Sequence, residues 1–174
     1  KDKKSRFGGI FCYSTDMELE TKKGSDFGRV AVALQSMIDD FKSDSATVVA
    51  LWGDLGAGKT TLTQYLAKSY GIEDEVVSPT FVIMKIYPLA DRSHEDDDPV
   101  NNGRSERFIH MDAYRFENPE EAAGIRLHEY IADPKNIMLI EWPELLGDGL
   151  PDRRIDVKIA HNGEGRRITI AEHV

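Results

Sequence analysis

Apolar and polar residues alternate in short blocks along the chain, and the blocks predict strands and helices in turn. Residues 47–52 (TVVALW) are apolar and rich in β-branched side chains, which is typical of a buried strand. Residues 137–140 (IMLI) predict a second buried strand, and 108–112 (FIHMD) predict a third. From residue 27 to 41 the apolar positions recur at steps of three and four, which predicts a helix with a core-facing stripe and a cap at Ser25.

Further segments fill the space between these elements. Residues 60–70 predict a helix, and a loop at 76–80 leads into a predicted strand at 81–87. Asn118 followed by proline and glutamate is a helix-start signal, so a helix is expected from there to about Ile131. Residues 154–160 and 167–171 predict two strands joined by a glycine-containing turn. The alternation of strands and helices indicates an α/β fold.

A glycine-rich loop joins the first predicted strand to the helix at 60–70. Residues 53–60 (GDLGAGKT) fit the pattern G-x-x-x-x-G-K-[ST] at every fixed position. Glycines let the N–H groups of such a loop turn inward around a phosphate at a helix N-terminus. The sequence therefore predicts a nucleoside triphosphate site with Lys59 on the phosphates and Thr60 on Mg²⁺. The expected nucleotide-binding residues are Gly53, Asp54, Leu55, Gly56, Ala57, Gly58, Lys59, Thr60 and Thr61.

This loop sharpens the fold prediction to a single P-loop domain over residues 1–174. The expected fold is the three-layer α/β P-loop NTPase fold, with a mostly parallel central sheet, an antiparallel edge hairpin and helices on both faces. Residues 89–106 form an acidic stretch without an apolar face, which predicts a mobile surface insertion. Residues 1–13 are an N-terminal segment of unclear role.

The charge and cysteine content of the chain limit the kinds of partner it can bind and the cellular compartment in which it is expected. The formal net charge of −9, from 31 acidic and 22 basic side chains, argues against independent nucleic-acid binding, so any role near RNA is expected to run through a protein partner. Cys12 is the only cysteine, which excludes an internal disulfide and agrees with a reducing, cytoplasmic location. No apolar run approaches the ~18 residues of a spanning helix, so no membrane association is expected.

Two carboxylates and one hydroxyl are candidates for the chemistry of phosphoryl transfer. Glu141 follows the buried strand at 137–140, where an acidic residue commonly contacts the metal shell, and Asp112 ends its strand in the same way. Either carboxylate can hold the metal or orient the attacking water, and the sequence does not separate these roles. Thr80 is a candidate switch-loop hydroxyl near the γ-phosphate. The expected catalytic residues are thus Lys59, Thr80, Asp112 and Glu141.

Four motifs in this order resemble the TsaE (YjeE) family: the loop at 53–61, S-P-T-F at 78–81, H-M-D-A-Y-R at 110–115 and E-W-P at 141–143. The resemblance covers roughly residues 18–160. It implies a small ATPase that uses ATP and Mg²⁺ and supports threonylcarbamoyladenosine formation in tRNA. It also implies TsaB-like and TsaD-like protein partners, with tRNA reached only through the complex. By the same resemblance, Thr60 and Glu141 contact the metal and Asp112 is important for catalysis.

Two other functions share the phosphate loop. A small-molecule kinase would need an acceptor pocket and an arginine-bearing lid, which Arg104 and Arg107 only weakly suggest. A nucleotide-gated binding module would use ATP to order the Thr80 loop and create a docking face, with incidental turnover. A GTPase is disfavoured because the chain has no N-K-x-D segment.

Overall fold

The architecture is one twisted mixed sheet with helices packed on its two faces. In the computed structural model the described residues are 6–7, 10–13, 16–22, 26–41, 43–89 and 105–173. Their strands are β1 (Arg6–Phe7), β2 (Ile10–Tyr13), β3 (Asp16–Thr21), β4 (Thr47–Trp52), β5 (Met84–Pro88), β6 (Arg107–Asp112), β7 (Asn136–Glu141), β8 (Arg154–Asn162) and β9 (Gly165–His173). Their α-helices are α1 (Phe27–Asp40), α2 (Lys59–Ser69), α3 (Glu121–Gly124) and α4 (Leu127–Ala132), and a 3₁₀ segment covers Pro143–Gly149.

The strand order corrects the expectation of a mostly parallel sheet. The order is β1-β2-β3-β9-β8-β4-β7-β6-β5. Only β8, β4, β7 and β6 run parallel to one another, and they form the centre. The hairpin β8–β9 is antiparallel as predicted, but it does not form the edge, because β3 pairs with the outer side of β9. On the other side β5 pairs antiparallel with β6. The seven strands numbered β3 through β9 thus make a partly parallel sheet with antiparallel edges. The short strands β1 and β2 extend this sheet beyond β3.

Successive side chains of the central strands pack into two separate apolar cores, one on each face of the sheet. Helices cover both cores, which confirms the prediction of helices on both faces. On β7, Ile137 and Leu139 join the core under α1 and α2, whereas Met138 and Ile140 join the core under α3, α4 and the 3₁₀ segment. Strand side chains point to opposite faces in turn, so a strand buried on both faces needs an unbroken apolar run. This explains the sequence IMLI in the middle of the sheet.

Helix α1 carries the predicted apolar stripe. Its buried residues are Phe27, Val30, Ala31, Leu34 and Ile38, and they pack against the sheet together with α2. The proposed cap, Ser25, lies outside the described residues. The helix begins at Phe27, directly after Asp26, whose carboxylate accepts a hydrogen bond from the N–H of Lys22 at 2.8 Å.

The predicted helix from Asn118 to Ile131 is broken in two. Arg126 adopts a left-handed conformation, with φ of 56°, between α3 and α4. Gly124, a weak helix former, lies just before the break. The predicted helix start at Asn118 is nevertheless present, because the backbone N–H of Asn118 donates a hydrogen bond to the carboxylate of Glu121 at 3.2 Å.

The strand expected at 81–87 begins three residues later, at Met84. The N–H of Val82 donates to the carbonyl of Pro79 at 2.8 Å, which closes a turn, and Ile83 follows with φ of 66°. A β-branched residue rarely adopts this conformation, so residues 79–83 form a constrained loop and not an extended strand. The acidic insertion falls largely at 90–104, outside the described residues. Within the described residues, no helix combines the length and apolarity needed to cross a membrane.

Gly165 is a position where the pairing of β9 with β3 allows no side chain. A Cβ placed there would lie 2.0 Å from the carbonyl oxygen of Thr21. We therefore expect Gly165→Ala to lower the free energy of unfolding by about 2 kcal/mol, because backbone must shift to relieve the overlap. The matched control is Gly124→Ala, where a Cβ meets nothing within 4 Å and a small gain is expected. Urea unfolding of both variants tests this, and equal stability of the two would contradict the assigned register.

Candidate functional site

The glycine loop lies at the carboxyl end of β4 and turns directly into α2. Gly58 has φ of 112°, and a Cβ there would approach the Phe27 ring to 2.7 Å. Gly53 has φ of 147°, and a Cβ there would lie 2.5 Å from the carbonyl oxygen of Ile159. The first and last fixed glycines of the motif are therefore required both by backbone conformation and by close packing. The N–H of Ala57 donates to the carbonyl of Asp54 at 3.1 Å and tightens the loop.

Lys59 is held inside the loop. Its Nζ donates to the carbonyl oxygens of Gly53 at 2.6 Å and of Asp54 at 3.1 Å. The ammonium also lies 3.8 Å from the centroid of the Trp142 ring, a cation–π contact. The side chain is buried, and this burial lowers the pKa of Lys59, although the negative charges of nearby carboxylates, chiefly Glu141, oppose the shift. The cation is thus enclosed by carbonyl dipoles and an aromatic face.

Glu141 links the strand end of β7 to the first turn of α2. Its Oε1 accepts a hydrogen bond from the Thr60 hydroxyl at 2.8 Å and a second from His110 Nε2 at 2.8 Å. Since a carboxylate only accepts, the Nε2 of His110 carries the proton in this pair. Both Glu141 and His110 are buried. The predicted metal pair, Thr60 and Glu141, is therefore in direct contact.

Asp112 organises the loop that precedes β5. Its Oδ2 accepts hydrogen bonds from the hydroxyls of Thr80 at 2.5 Å and of Ser78 at 3.1 Å, and its Oδ1 accepts the N–H of Tyr114 at 2.9 Å. Asp112 is buried, so these bonds replace the water that its carboxylate loses. The predicted catalytic carboxylate and the predicted switch-loop hydroxyl thus form one hydrogen-bonded unit.

The parallel register brings the two carboxylates to the same level of the sheet. Asp112 on β6 lies opposite Glu141 on β7, next to the strand that carries the glycine loop. Both side chains lie on the sheet face covered by α1 and α2, since they share the parity of the buried residues on that face. Four of the predicted residues, Lys59, Thr60, Asp112 and Glu141, therefore converge with Thr80 at one end of the sheet.

The remaining predicted nucleotide-binding residues lie around the loop but not all in the convergent group. Leu55 forms its tip and is 78% exposed, and Asp54 is also exposed. Thr61 is half-buried in the first turn of α2, and the Glu141 contact is made by Thr60 instead. This arrangement agrees with the preference for Thr60 over Thr61 as a metal ligand.

Two contributors were missed by the sequence interpretation. His110 was named as part of the motif at 110–115 but was given no chemical role, although its position two residues before Asp112 places both side chains on one sheet face. Arg166 was assigned to a turn, yet its guanidinium reaches the carbonyls of Gly56 and Ala57 from β9. No sequence signal marked Arg166, because the contact spans 109 residues.

The chemistry of these side chains fits a phosphate and a hard divalent cation. In the described part of the chain, no group of three or more His, Cys, Asp or Glu side chains is placed to hold a metal unaided. Mg²⁺ commonly takes one or two protein oxygens and completes its shell with water and phosphate oxygens. The Thr60 hydroxyl and the Glu141 carboxylate, already 2.8 Å apart, supply such a pair.

A glycine loop between β4 and α2, at the carboxyl edge of a parallel sheet centre, defines the class of α/β P-loop proteins. Within that class, the family model "Threonylcarbamoyl adenosine biosynthesis protein TsaE" matches residues 22–169. The chain belongs to the TsaE family.

Individual relatives and a solved structure agree with this assignment. The tRNA threonylcarbamoyladenosine biosynthesis protein TsaE of Bacillus subtilis is 38% identical over 120 residues, which span 69% of this chain and 65% of that protein. The protein of the same name from Haemophilus influenzae is 33% identical over 128 residues, 74% of this chain and 72% of that one. The crystal structure of Bacillus subtilis YdiB superposes with a TM-score of 0.64 at 27% identity, covering 91% of this chain and 86% of that one.

The buried cation makes a pH-dependent prediction. Because the folded state lowers the pKa of Lys59 below the ordinary value of 10.5, the folded protein releases this proton at a lower pH than the unfolded chain. In that interval the unfolded state binds more protons, so stability rises with pH. We expect wild type to gain stability relative to Lys59→Met as pH rises toward about 10.5.

Urea unfolding of the nucleotide-free proteins at steps between pH 7 and 10.5 measures the difference, and pairing the two proteins cancels the titration of other groups. A difference that stays flat, or that moves against wild type as pH rises, would show that the buried ammonium is not disfavoured in the folded state.

Proposed function

We propose that this chain is a Mg²⁺-dependent ATPase that supports threonylcarbamoyladenosine modification of tRNA together with TsaB-like and TsaD-like proteins. The observation that carries the proposal is the convergence of the glycine loop, the Thr60–Glu141 pair and the Asp112–Thr80 pair at one sheet edge in a TsaE-family chain. Its action is expected in the cytoplasm, with tRNA reached through the protein partners.

ATP binding is assigned to the loop and its lysine. The backbone of residues 53–60 would surround the β-phosphate, and Lys59 would exchange its carbonyl partners for phosphate oxygens. Thr60 and Glu141 would hold Mg²⁺, which neutralises phosphate charge when it is bound with the nucleotide. His110 fixes the Glu141 carboxylate through the Nε2–H bond, so that carboxylate cannot rotate freely.

Hydrolysis is assigned to Asp112 and the loop at 78–83. Asp112 lies on the strand next to Glu141 and is fixed by the N–H of Tyr114, which supports a role in which it accepts a hydrogen bond from an attacking water. The Thr80 hydroxyl is bonded to this fixed carboxylate and would be held beside it when the loop contacts the γ-phosphate. Ile83 is held in a left-handed conformation that costs on the order of 1–3 kcal/mol, so a rearrangement of this constrained loop on nucleotide binding would relieve strain.

A nucleotide-gated binding module is the second candidate, and one observation favours it. Phe81 and Val82 lie next to Thr80 in the loop and are 83% and 58% exposed. Large apolar side chains beside a nucleotide-responsive loop suit a docking face for a protein partner. In this form of the proposal ATP orders the loop and turnover is incidental.

A small-molecule kinase is less well supported. Of the two lid arginines considered, Arg104 lies outside the described residues, and the guanidinium of Arg107 bonds Asp133. Arg107 is the first residue of β6, at the opposite end of that strand from Asp112. It is therefore not placed to contact a transferred phosphoryl group.

The two carboxylates are predicted to act after nucleotide binding. Asp112→Asn and Glu141→Gln should keep Mg·ATP affinity within roughly tenfold of wild type but lower turnover by about 10²-fold or more, because charge and orientation at the reacting phosphate are lost. Titration with a fluorescent ATP analogue and phosphate-release assays measure the two effects. Asp148→Asn, at an exposed position of the 3₁₀ segment, is the control. Full turnover in either carboxylate variant removes that residue from the mechanism.

Partner dependence decides between the candidate functions. Mg²⁺-dependent ATP hydrolysis should be slow for the chain alone and faster with TsaB and TsaD proteins, and Lys59→Ala should abolish both rates because the phosphates lose their cation. Phosphate release from purified components is the measurement. ATP-dependent docking without stimulated turnover would favour the binding module, and transfer of phosphate to a small hydroxyl compound would favour the kinase.

A further inference from the structure

The guanidinium of Arg166 donates hydrogen bonds to two backbone carbonyls of the phosphate loop. Its Nε donates to the carbonyl oxygen of Ala57 at 2.9 Å, and one terminal nitrogen donates to the carbonyl oxygen of Gly56 at 3.2 Å. The other terminal nitrogen donates to the carbonyl oxygen of Gly165 at 2.8 Å. One side chain thus joins two consecutive loop peptides to the start of β9.

The sheet fixes the place from which Arg166 reaches the loop. Arg166 lies opposite His161 on β8 and opposite Thr21 on β3, so its backbone is paired on both sides. It has the same parity as Ile168 and Ile170, which are buried on the face of the sheet under α1 and α2. The arginine therefore belongs to a rigid strand and not to a free loop.

The peptide geometry gives these contacts a consequence for anion binding. In a trans peptide the carbonyl and the following N–H point in opposite directions. Holding the carbonyls of Gly56 and Ala57 toward Arg166 therefore directs the following N–H groups to the other side of the loop. There the N–H of Ala57 donates to the carbonyl of Asp54 at 3.1 Å, and the N–H of Gly58 is left as the donor for an anion. A guanidinium on the carbonyl side also polarises both peptides, which increases the partial positive charge on their N–H groups.

We propose that Arg166 is a positioning residue that holds the phosphate loop in its anion-binding conformation and so raises the affinity for the polyphosphate of the nucleotide. The inference rests on the proposed nucleotide site, and it adds a residue from the β8–β9 hairpin to that site. Arg166 acts through the loop backbone, so its effect is expected on polyphosphate binding and not on the chemical step.

Arginine and lysine separate the two parts of this role. The guanidinium forms a planar fork that reaches two carbonyls at once, whereas a lysine offers the charge from a single nitrogen. Arg166→Gln removes both charge and fork, and Arg166→Lys removes only the fork. Arg167 is the matched control, because it is the next residue along β9 and it pairs with Glu18 and Glu20 on exposed surface, away from the loop.

The test is calorimetric titration of the full chain with Mg·ATP, Mg·ADP and inorganic tripolyphosphate. Arg166→Gln should weaken binding of all three by about tenfold or more, Arg166→Lys by less, and Arg167→Gln by under about twofold. Hydrogen exchange without nucleotide is the second readout: amides of residues 53–58 should exchange faster in Arg166→Gln than in Arg167→Gln, at unchanged global stability.

The outcomes are separable. If wild type binds Mg·ATP and the Arg166 variants bind all three ligands as tightly, with unchanged exchange in the loop, the positioning role is wrong while the nucleotide site stands. If Arg166→Gln is too unstable to titrate, the comparison of Arg166→Lys with wild type decides, and equal affinity there overturns the role of the fork. Failure of wild type to bind Mg·ATP or tripolyphosphate would overturn both this inference and the proposed function.

Discussion

Burial of charge at the carboxyl ends of the central parallel strands is the constraint on which this structure depends. Lys59, Asp112 and Glu141 are all buried, and an unpaired charge in such a position costs several kcal/mol, roughly the whole stability of a domain. Each is therefore paired: the ammonium with carbonyls and an aromatic face, the carboxylates with hydroxyls, a backbone N–H and an imidazole. These pairings fix the loop, the helix start and the two strand ends relative to one another.

The apolar packing at the centre of the sheet fixes the strand register, and this register holds the paired charged groups opposite one another. Strands β4, β7 and β6 are buried along nearly their whole length, and their apolar side chains interlock with helices on both faces. A register slip of one residue would send Asp112 or Glu141 to the opposite face, into the apolar core under α3, α4 and the 3₁₀ segment. The same packing that stabilises the fold thus keeps both carboxylates level and on one side.

The sequence predicted what is determined locally, and it failed where distant segments decide. The loop at 53–60, β4, β7 and the stripe of α1 carry strong local signals, and the described residues confirm them. The prediction that the β8–β9 hairpin forms the edge of the sheet was wrong, because the pairing of β3 with β9 cannot be recognised from either segment alone. The break at Arg126 was missed since a single left-handed residue overrides an otherwise helical sequence. The contacts of His110 with Glu141 and of Arg166 with the glycine loop are tertiary and join distant parts of the chain.

A chain of net charge −9 is proposed to bind a polyanion, and the two buried carboxylates determine how large the electrostatic repulsion at the site would be. Exposed charges more than about 8 Å away are largely screened at physiological salt, so the net charge acts weakly at the loop. Asp112 and Glu141 are buried and near Lys59, so they would repel phosphate oxygens far more strongly than distant surface charges. A divalent cation held by Thr60 and Glu141, as proposed, would turn that repulsion into attraction. We therefore expect nucleotide binding to depend on Mg²⁺ because these carboxylates are buried, whichever reaction the site performs.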